Sequence, residues 1–209
     1  MSAIVSGLSG IVILTSSVWP IIEYQLNEAK SYKTLLTPLV LENSKVNNRD
    51  LTKASNWFPE ASKNKDFNIS KVTFYTVSIP KLKIENAIVA IGGEDLTKNL
   101  VQYPGTALPG KPGNAVIFGH SVLPIFYNPR NYTAIFSTLP TLKENDDIFI
   151  NFDGVSYKYI VEEMFEIYPS DIQILEQNNS DSFITLVTCT PPGDPRNPKR
   201  LIVRARVVS

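Results

Sequence analysis

One cysteine and one histidine occur in the 209 residues, Cys189 and His120. A single thiol excludes an intramolecular disulfide and a cysteine-based zinc finger, and a single imidazole excludes a multi-histidine metal site. The two residue types still make chemistry as a pair, because a thiol becomes a nucleophile when an imidazole or a positive charge favours its thiolate. Their settings are alike. Cys189 follows Phe183-Ile184-Thr185-Leu186-Val187-Thr188 and precedes Thr190-Pro191-Pro192-Gly193, so it lies where a strand runs into a rigid turn. His120 closes Asn114-Ala115-Val116-Ile117-Phe118-Gly119, where Gly119 leaves the backbone free to turn. Strand ends of this kind present a side chain on a fixed support. Arg200 follows the loop that begins at the cysteine, and closure of that loop brings it back toward Cys189. Arg196, in the same loop, competes for this place.

The elements that must hold these residues read as short β-branched and aromatic runs between turn residues, from about residue 71 to the end. This is the pattern of an antiparallel barrel or sandwich. Strands are expected over Lys71–Ile79, Ile84–Ile91, Ala115–Phe118, Asp147–Phe152, Val155–Ile167, Phe183–Thr188 and Leu201–Val208, with a hairpin turn at Asp153-Gly154. In the run that begins at Phe183, Ile184 and Leu186 share one face while Thr185, Val187 and Cys189 share the other; with the first pair in the core, the thiol faces outward. In the last run the arginines 200, 204 and 206 share a face, which for Arg204 and Arg206 reads as solvated. Helical structure is expected over Thr133–Leu139, and a turn over Ser170–Leu175 with Ser170 or Asp171 as cap.

Twenty Lys and Arg balance 20 Asp and Glu. Without a one-sided positive field, a nucleic-acid partner is set aside. No charged residue occurs from Met1 to Ile22, and this apolar run is long enough to span a bilayer as a helix, so 1–22 is expected to be a transmembrane signal-anchor, with a cleaved signal peptide as the alternative. Residues 23–70 read as a polar stalk or linker, in which Trp57-Phe58-Pro59 stands out as either docked on the following domain or a lid over a groove. Residues 71–209 are expected to form the β-rich domain that holds Cys189, His120 and Arg200.

Several longer stretches then carry a resemblance: Ser78-Ile79-Pro80-Lys81-Leu82, Tyr103 to Asn114 leading to Gly119-His120, and Thr185-Leu186-Val187-Thr188-Cys189-Thr190-Pro191-Pro192-Gly193 leading to Arg200-Leu201-Ile202-Val203-Arg204. With these the chain resembles the sortases, membrane-anchored cysteine transpeptidases of bacterial surfaces, with wording nearer to the pilin-assembling and housekeeping-like branches. The resemblance implies a mainly β fold, a closed eight-stranded barrel with a few short helices behind the membrane helix and stalk. It implies Cys189 as nucleophile, His120 as general acid and base, and Arg200 as the arginine that steadies substrate and oxyanion, with Thr188 and Thr190 on the oxyanion and substrate side. It implies cleavage of an LPXTG-like sorting motif between Thr and Gly through a thioester, then transfer to an amine of the cell wall or of another surface protein. The run Ser121 to Tyr132 departs from the pattern as a longer, aromatic insert.

The expected partners are therefore sorting-motif proteins and an amine acceptor on peptidoglycan or a pilin. The expected location is the cell membrane, single-pass, with the catalytic domain outside. Lys30 and Lys33 follow the apolar run and by charge alone would place the domain inside; the partners override that count. No cofactor or metal is required. Asp146, Asp147, Glu162, Glu163 and Glu166 could offer calcium ligands, as in some relatives, but read better as exposed carboxylates. Two rivals stand beside this reading. An L,D-transpeptidase needs His-Gly before its cysteine, where Val187-Thr188 stands; a non-enzymatic surface β-barrel binding domain, a degenerate sortase, needs none of the three residues.

Overall fold

A computed structural model describes residues 50–62, 73–194 and 199–208, together with residues 15, 18, 19, 22, 33 and 34. Nine strands are present among them: β1 (Lys33–Thr34), β2 (Phe74–Ile79), β3 (Ile84–Ile91), β4 (Leu100–Gln102), β5 (Gly113–Phe118), β6 (Asp147–Phe152), β7 (Val155–Ile167), β8 (Ser182–Thr190) and β9 (Lys199–Val208). They pair in the order β1-β7-β6-β2-β3-β4-β5-β8-β9, and a further pairing of β7 with β9 closes β2 to β9 into an eight-stranded barrel. Closure leaves no free edge in that ring. β1 lies parallel to β7 outside it.

Local chemistry explains most of the strand boundaries. The β6–β7 hairpin turns on Asp153 and Gly154, both at positive φ of 52° and 75°, the conformation that the Asp-Gly pair favours. β2 stops at Pro80, which opens a 3-10 turn over Pro80–Leu82. Inside the barrel, alternate residues of every long strand meet in one apolar cluster, among them Val77, Ile84, Val89, Ile117, Ile148, Ile150, Val161, Ile184, Leu186 and Val203. β5 and β8 run parallel, register Gly113↔Ser182 through Phe118↔Val187, and are buried throughout except at Phe183.

A second apolar cluster lies on the opposite side of β5 and β8. It joins Val116, Phe118, Val187, Cys189 and Ile202 to Tyr103, Ile174 and three residues of the N-terminal segment, Ala54, Trp57 and Phe58. Residues 50–62, read from the sequence as stalk, thus pack on the barrel wall, with Trp57 and Phe58 fully buried. Their sequence neighbours are polar, so this burial is purely tertiary.

Three local expectations are corrected. Thr133–Leu139 is a chain of turns rather than a helix, closed by i to i+3 bonds such as Ser137 N–H to Ala134 C=O at 3.1 Å, and it leads into a 3-10 turn over Leu139–Thr141. Ala134, Ile135 and Phe136 are buried consecutively, which no single helix face achieves, and Pro140 supplies no amide. Ile172–Leu175 is a 3-10 turn without a side-chain cap; Asp171 instead accepts the Tyr168 amide at 3.0 Å. β4 was absent from the expected strands.

No helix among the described residues is long and apolar enough to cross a membrane. Apart from residues 15, 18, 19 and 22, the expected anchor Met1–Ile22 lies outside the described residues, as do most of 23–49, residues 63–72 and Arg196.

Candidate active site

β8 and β9 are antiparallel neighbours whose register pairs Cys189 directly with Arg200. The guanidinium Nη1 lies 3.7 Å from Cys189 Sγ. On the other side of β8, β5 runs in the same direction as β8, so its end lies beside the end carrying the thiol. Two residues beyond Phe118, the partner of Val187, comes His120, just as Cys189 stands two residues beyond Val187. The structure thus brings together all three residues proposed from the sequence. Gly119 is needed for this approach, since Phe136 and Leu100 leave no room for a Cβ there.

The thiol faces outward from the barrel, as its strand parity requires, yet it is only 7% exposed. Trp57 belongs to the same buried cluster. Its ring stacks on Phe118 at 5.3 Å between centroids and tilts over His120 at 6.0 Å. The Arg200 guanidinium sits 5.0 Å above the same ring, and its Nη2 donates to the Trp57 carbonyl at 3.3 Å. A hydrogen bond from the indole Nε1–H to the Leu51 carbonyl, 2.8 Å, fixes the ring's direction. Of the two sequence readings of Trp57-Phe58, docking and covering, the packing satisfies both at once.

Burial sets the protonation states of this closed arrangement. It pushes the Cys189 thiol above its ordinary value, while the nearby Arg200 charge pulls it down. It holds the His120 imidazole below its ordinary value, opposed by the negative charges of Asp50 and Asp95. Arg200, 2% exposed, is itself lowered by burial, with the cysteine acting the other way. Neutral thiol and neutral imidazole are the forms favoured under the cover. His120 Nε2 is buried and finds no hydrogen-bond partner among the described residues.

A pH dependence of stability follows. The folded imidazole holds its proton less well than the unfolded one, so between the two values the unfolded chain binds more protons. The contribution of His120 is therefore complete above its unfolded value of 6.5 and is lost as the pH falls through the lower folded value. Denaturant titrations stepped downward from pH 7.5 should show this loss, and His120→Gln should flatten it. Equal slopes in the two proteins would assign the effect to other groups, but the chain has no second histidine to supply them.

Thr188 points away from the thiol and donates its hydroxyl to the Gly119 carbonyl at 2.8 Å. The Thr190 hydroxyl reaches Glu166 Oε1 at 3.1 Å, and the same carboxylate receives Lys199 Nζ at 3.2 Å. Thr190 and Lys199 are register partners, so Glu166, 3% exposed, clamps the neck of the loop between them. Neither Glu166 in this role nor Ser121, which donates to the Cys189 carbonyl at 2.8 Å, was legible beforehand. The insert after His120 carries two exposed apolar residues, Ile125 and Phe126, on a 3-10 turn; its base is tied by the Tyr127 hydroxyl to the Leu82 carbonyl and by the Ile88 amide to the Tyr132 hydroxyl.

The five carboxylates weighed as calcium ligands all face cations: Asp146 meets Lys81 at 2.7 Å, Asp147 meets Lys158 at 2.9 Å, Glu162 meets Arg206 at 2.6 Å, and Glu163 and Glu166 meet Arg204 and Lys199 at 3.2 Å. Among the described residues no three potential metal ligands gather. Arg204 and Arg206 are thereby placed in surface ion pairs, away from the chemistry.

The sortase domain model matches residues 77–208, nearly two thirds of the chain and all of the barrel except the start of β2. The chain belongs to the sortase family. Among curated sortases it is 29% identical over 169 residues to sortase A of Bacillus anthracis, a match that covers 79% of this chain and 70% of that one. Against sortase A of Streptococcus agalactiae it is 24% identical over 132 residues, covering 63% of this chain and 51% of the other. Among solved sortases, sortase A of Corynebacterium diphtheriae superposes with a TM-score of 0.57 at 31% identity, covering 68% of this chain and 63% of that chain. A Clostridium perfringens sortase D5 transpeptidase superposes at 0.56 with 25% identity, covering 74% and 98%. Sortase C-1 of Actinomyces oris, at 0.57 and 26%, covers 75% and 84%. Sortases are cysteine transpeptidases, and in this one the sole cysteine is the residue paired with Arg200.

Proposed function

We propose that this sortase cleaves an LPXTG-like sorting motif between Thr and Gly and transfers the acyl fragment, the protein that now ends at Thr, to an amine. The observation that carries the reading is the guanidinium of Arg200 at 3.7 Å from Cys189 Sγ, beside the strand end that bears His120. A proton passes from the thiol to the imidazole, and the thiolate attacks the Thr carbonyl. Charge gathers on the carbonyl oxygen, where Arg200 stabilises it. The C–N bond breaks as His120 gives its proton to the departing glycine amine, leaving a thioester. An incoming amine attacks the thioester, His120 takes its proton, and the thiolate is released to be reprotonated.

No cofactor takes part in these steps. The acceptor amine belongs to peptidoglycan or to another surface protein, a pilin included, so the barrel works outside the cell, held to the membrane by the N-terminal apolar segment.

Incubation of the purified chain with a panel of sorting-motif peptides and intact-mass spectrometry tests the proposal. A thioester on Cys189, absent in Cys189→Ala and discharged by an added amine, is expected. A complete absence of adduct across the panel would leave a non-enzymatic surface barrel as the better reading.

A further inference from the structure

The β5–β8 ladder ends one residue short of the two reactive positions. Its last register pair is Phe118↔Val187, and its last backbone bond beyond that is Gly119 N–H to Val187 C=O at 3.1 Å. His120 and Cys189 therefore stand side by side on strand ends that no longer share a ladder hydrogen bond. Two hydroxyls take over. Thr188, before the cysteine, donates to the carbonyl of Gly119, before the histidine, at 2.8 Å. Ser121, after the histidine, donates across to the carbonyl of the cysteine itself, also at 2.8 Å. His120 is thus bracketed on both sides by bonds that end on the cysteine strand, one of them on the cysteine's own carbonyl.

We propose that Ser121 is a positioning residue for transpeptidation, holding the imidazole-bearing turn in register with Cys189. This deepens the function proposed above and rests on it. Other bonds of the turn reach away from β8: the Phe136 amide donates to the His120 carbonyl at 2.9 Å, and the Val122 amide donates to the Ser137 hydroxyl at 2.9 Å. They fix the turn to the segment behind it, whereas the Thr188 and Ser121 hydroxyls and the Gly119 amide tie it to the cysteine strand. Thr188 is fully buried and its bond is shielded. Ser121 lies partly exposed at the site's rim, and it is the bond that a disturbed or reopened site loses first.

The sulfur and the imidazole must exchange a proton, so a small drift between the strand ends slows chemistry more than it weakens substrate binding. In Ser121→Ala, kcat for transfer from a sorting-motif peptide to an amine should fall about tenfold while KM stays within about twofold, the loss of one positioning hydrogen bond expressed in the chemical step. Ser121→Thr, which keeps the hydroxyl, should recover most of the loss. An unchanged kcat in Ser121→Ala overturns the assignment. So does a fall accompanied by an equal rise in KM, or one that Ser121→Thr fails to reverse, since either would mean a general loosening of the fold. Failure of the parent protein to form any thioester would instead defeat the transpeptidase reading itself.

Discussion

Arg200→Ala is expected to lower kcat for transpeptidation by about 100- to 1000-fold, the usual cost of removing one preorganised donor from a developing oxyanion. Two effects add. The thiol loses the one positive charge that opposes its desolvation, so burial alone governs it and less thiolate forms. The oxyanion loses its donor in a site where little water can substitute. Arg200→Lys separates these contributions. A lysine keeps the charge but is a single point, and it cannot both face Sγ and reach the Trp57 carbonyl as the planar fork does with Nη1 and Nη2. Its kcat should fall between those of the parent and the alanine variant. Full activity in Arg200→Ala, with the β-barrel intact by circular dichroism, would remove Arg200 from the mechanism.

The second large effect concerns the cover. In Trp57→Ala the alkylation rate of Cys189 should rise at least about tenfold. Truncating a buried Trp costs roughly 3 to 5 kcal/mol of packing, and even a third of that, spent on releasing the segment, multiplies the open population about tenfold. The indole touches Phe118, His120 and Arg200, so its loss removes packing from the two groups that flank Cys189 and loosens the segment as a whole. Since the chain has one thiol, the reading is unambiguous, and Cys189→Ala supplies the blank. A rate equal to that of the parent would mean that the segment 50–62 does not close the site. A rate equal to that of the denatured chain would mean that the whole barrel had opened instead.

Opening also changes the chemistry. Under the cover, burial favours neutral thiol and neutral imidazole; once water enters, that bias falls while Arg200 stays in place on β9. On the function proposed above, a peptide carbonyl that reaches Arg200 would take the place of the Trp57 carbonyl, which couples substrate binding to activation.

The long strands were readable in the sequence because alternation and turn chemistry agreed. Ile84–Ile91, Asp147–Phe152 and Val155–Ile167 match the observed strands end to end, and Asp153-Gly154 makes the turn its composition demands. β4 escaped because its three residues are all buried and show no alternation. Thr133–Leu139 misled because apolar spacing imitated a helix where consecutive residues dip into the core. Cys189, His120 and Arg200 stood out from their places at strand ends, and the register brings those ends together: β5 and β8 run parallel, so their like ends meet, and antiparallel β9 starts where β8 stops. The cover was legible only as one of two readings of Trp57-Phe58, since the segment around them is polar and their burial depends on a wall built by residues far along the chain. Ser121 and Glu166 likewise act across 68 and 24 residues of sequence, a link that spacing alone does not reveal.

The placement of Arg200 on the final strand has a bearing on how the protein comes into being. β9 closes the ring by joining β8 to β7, so the guanidinium reaches the sulfur only when the ring is closed. A half-assembled barrel carries its sulfur without the neighbour whose charge opposes the cost of burying a thiolate. The step that completes the ring also joins the two groups.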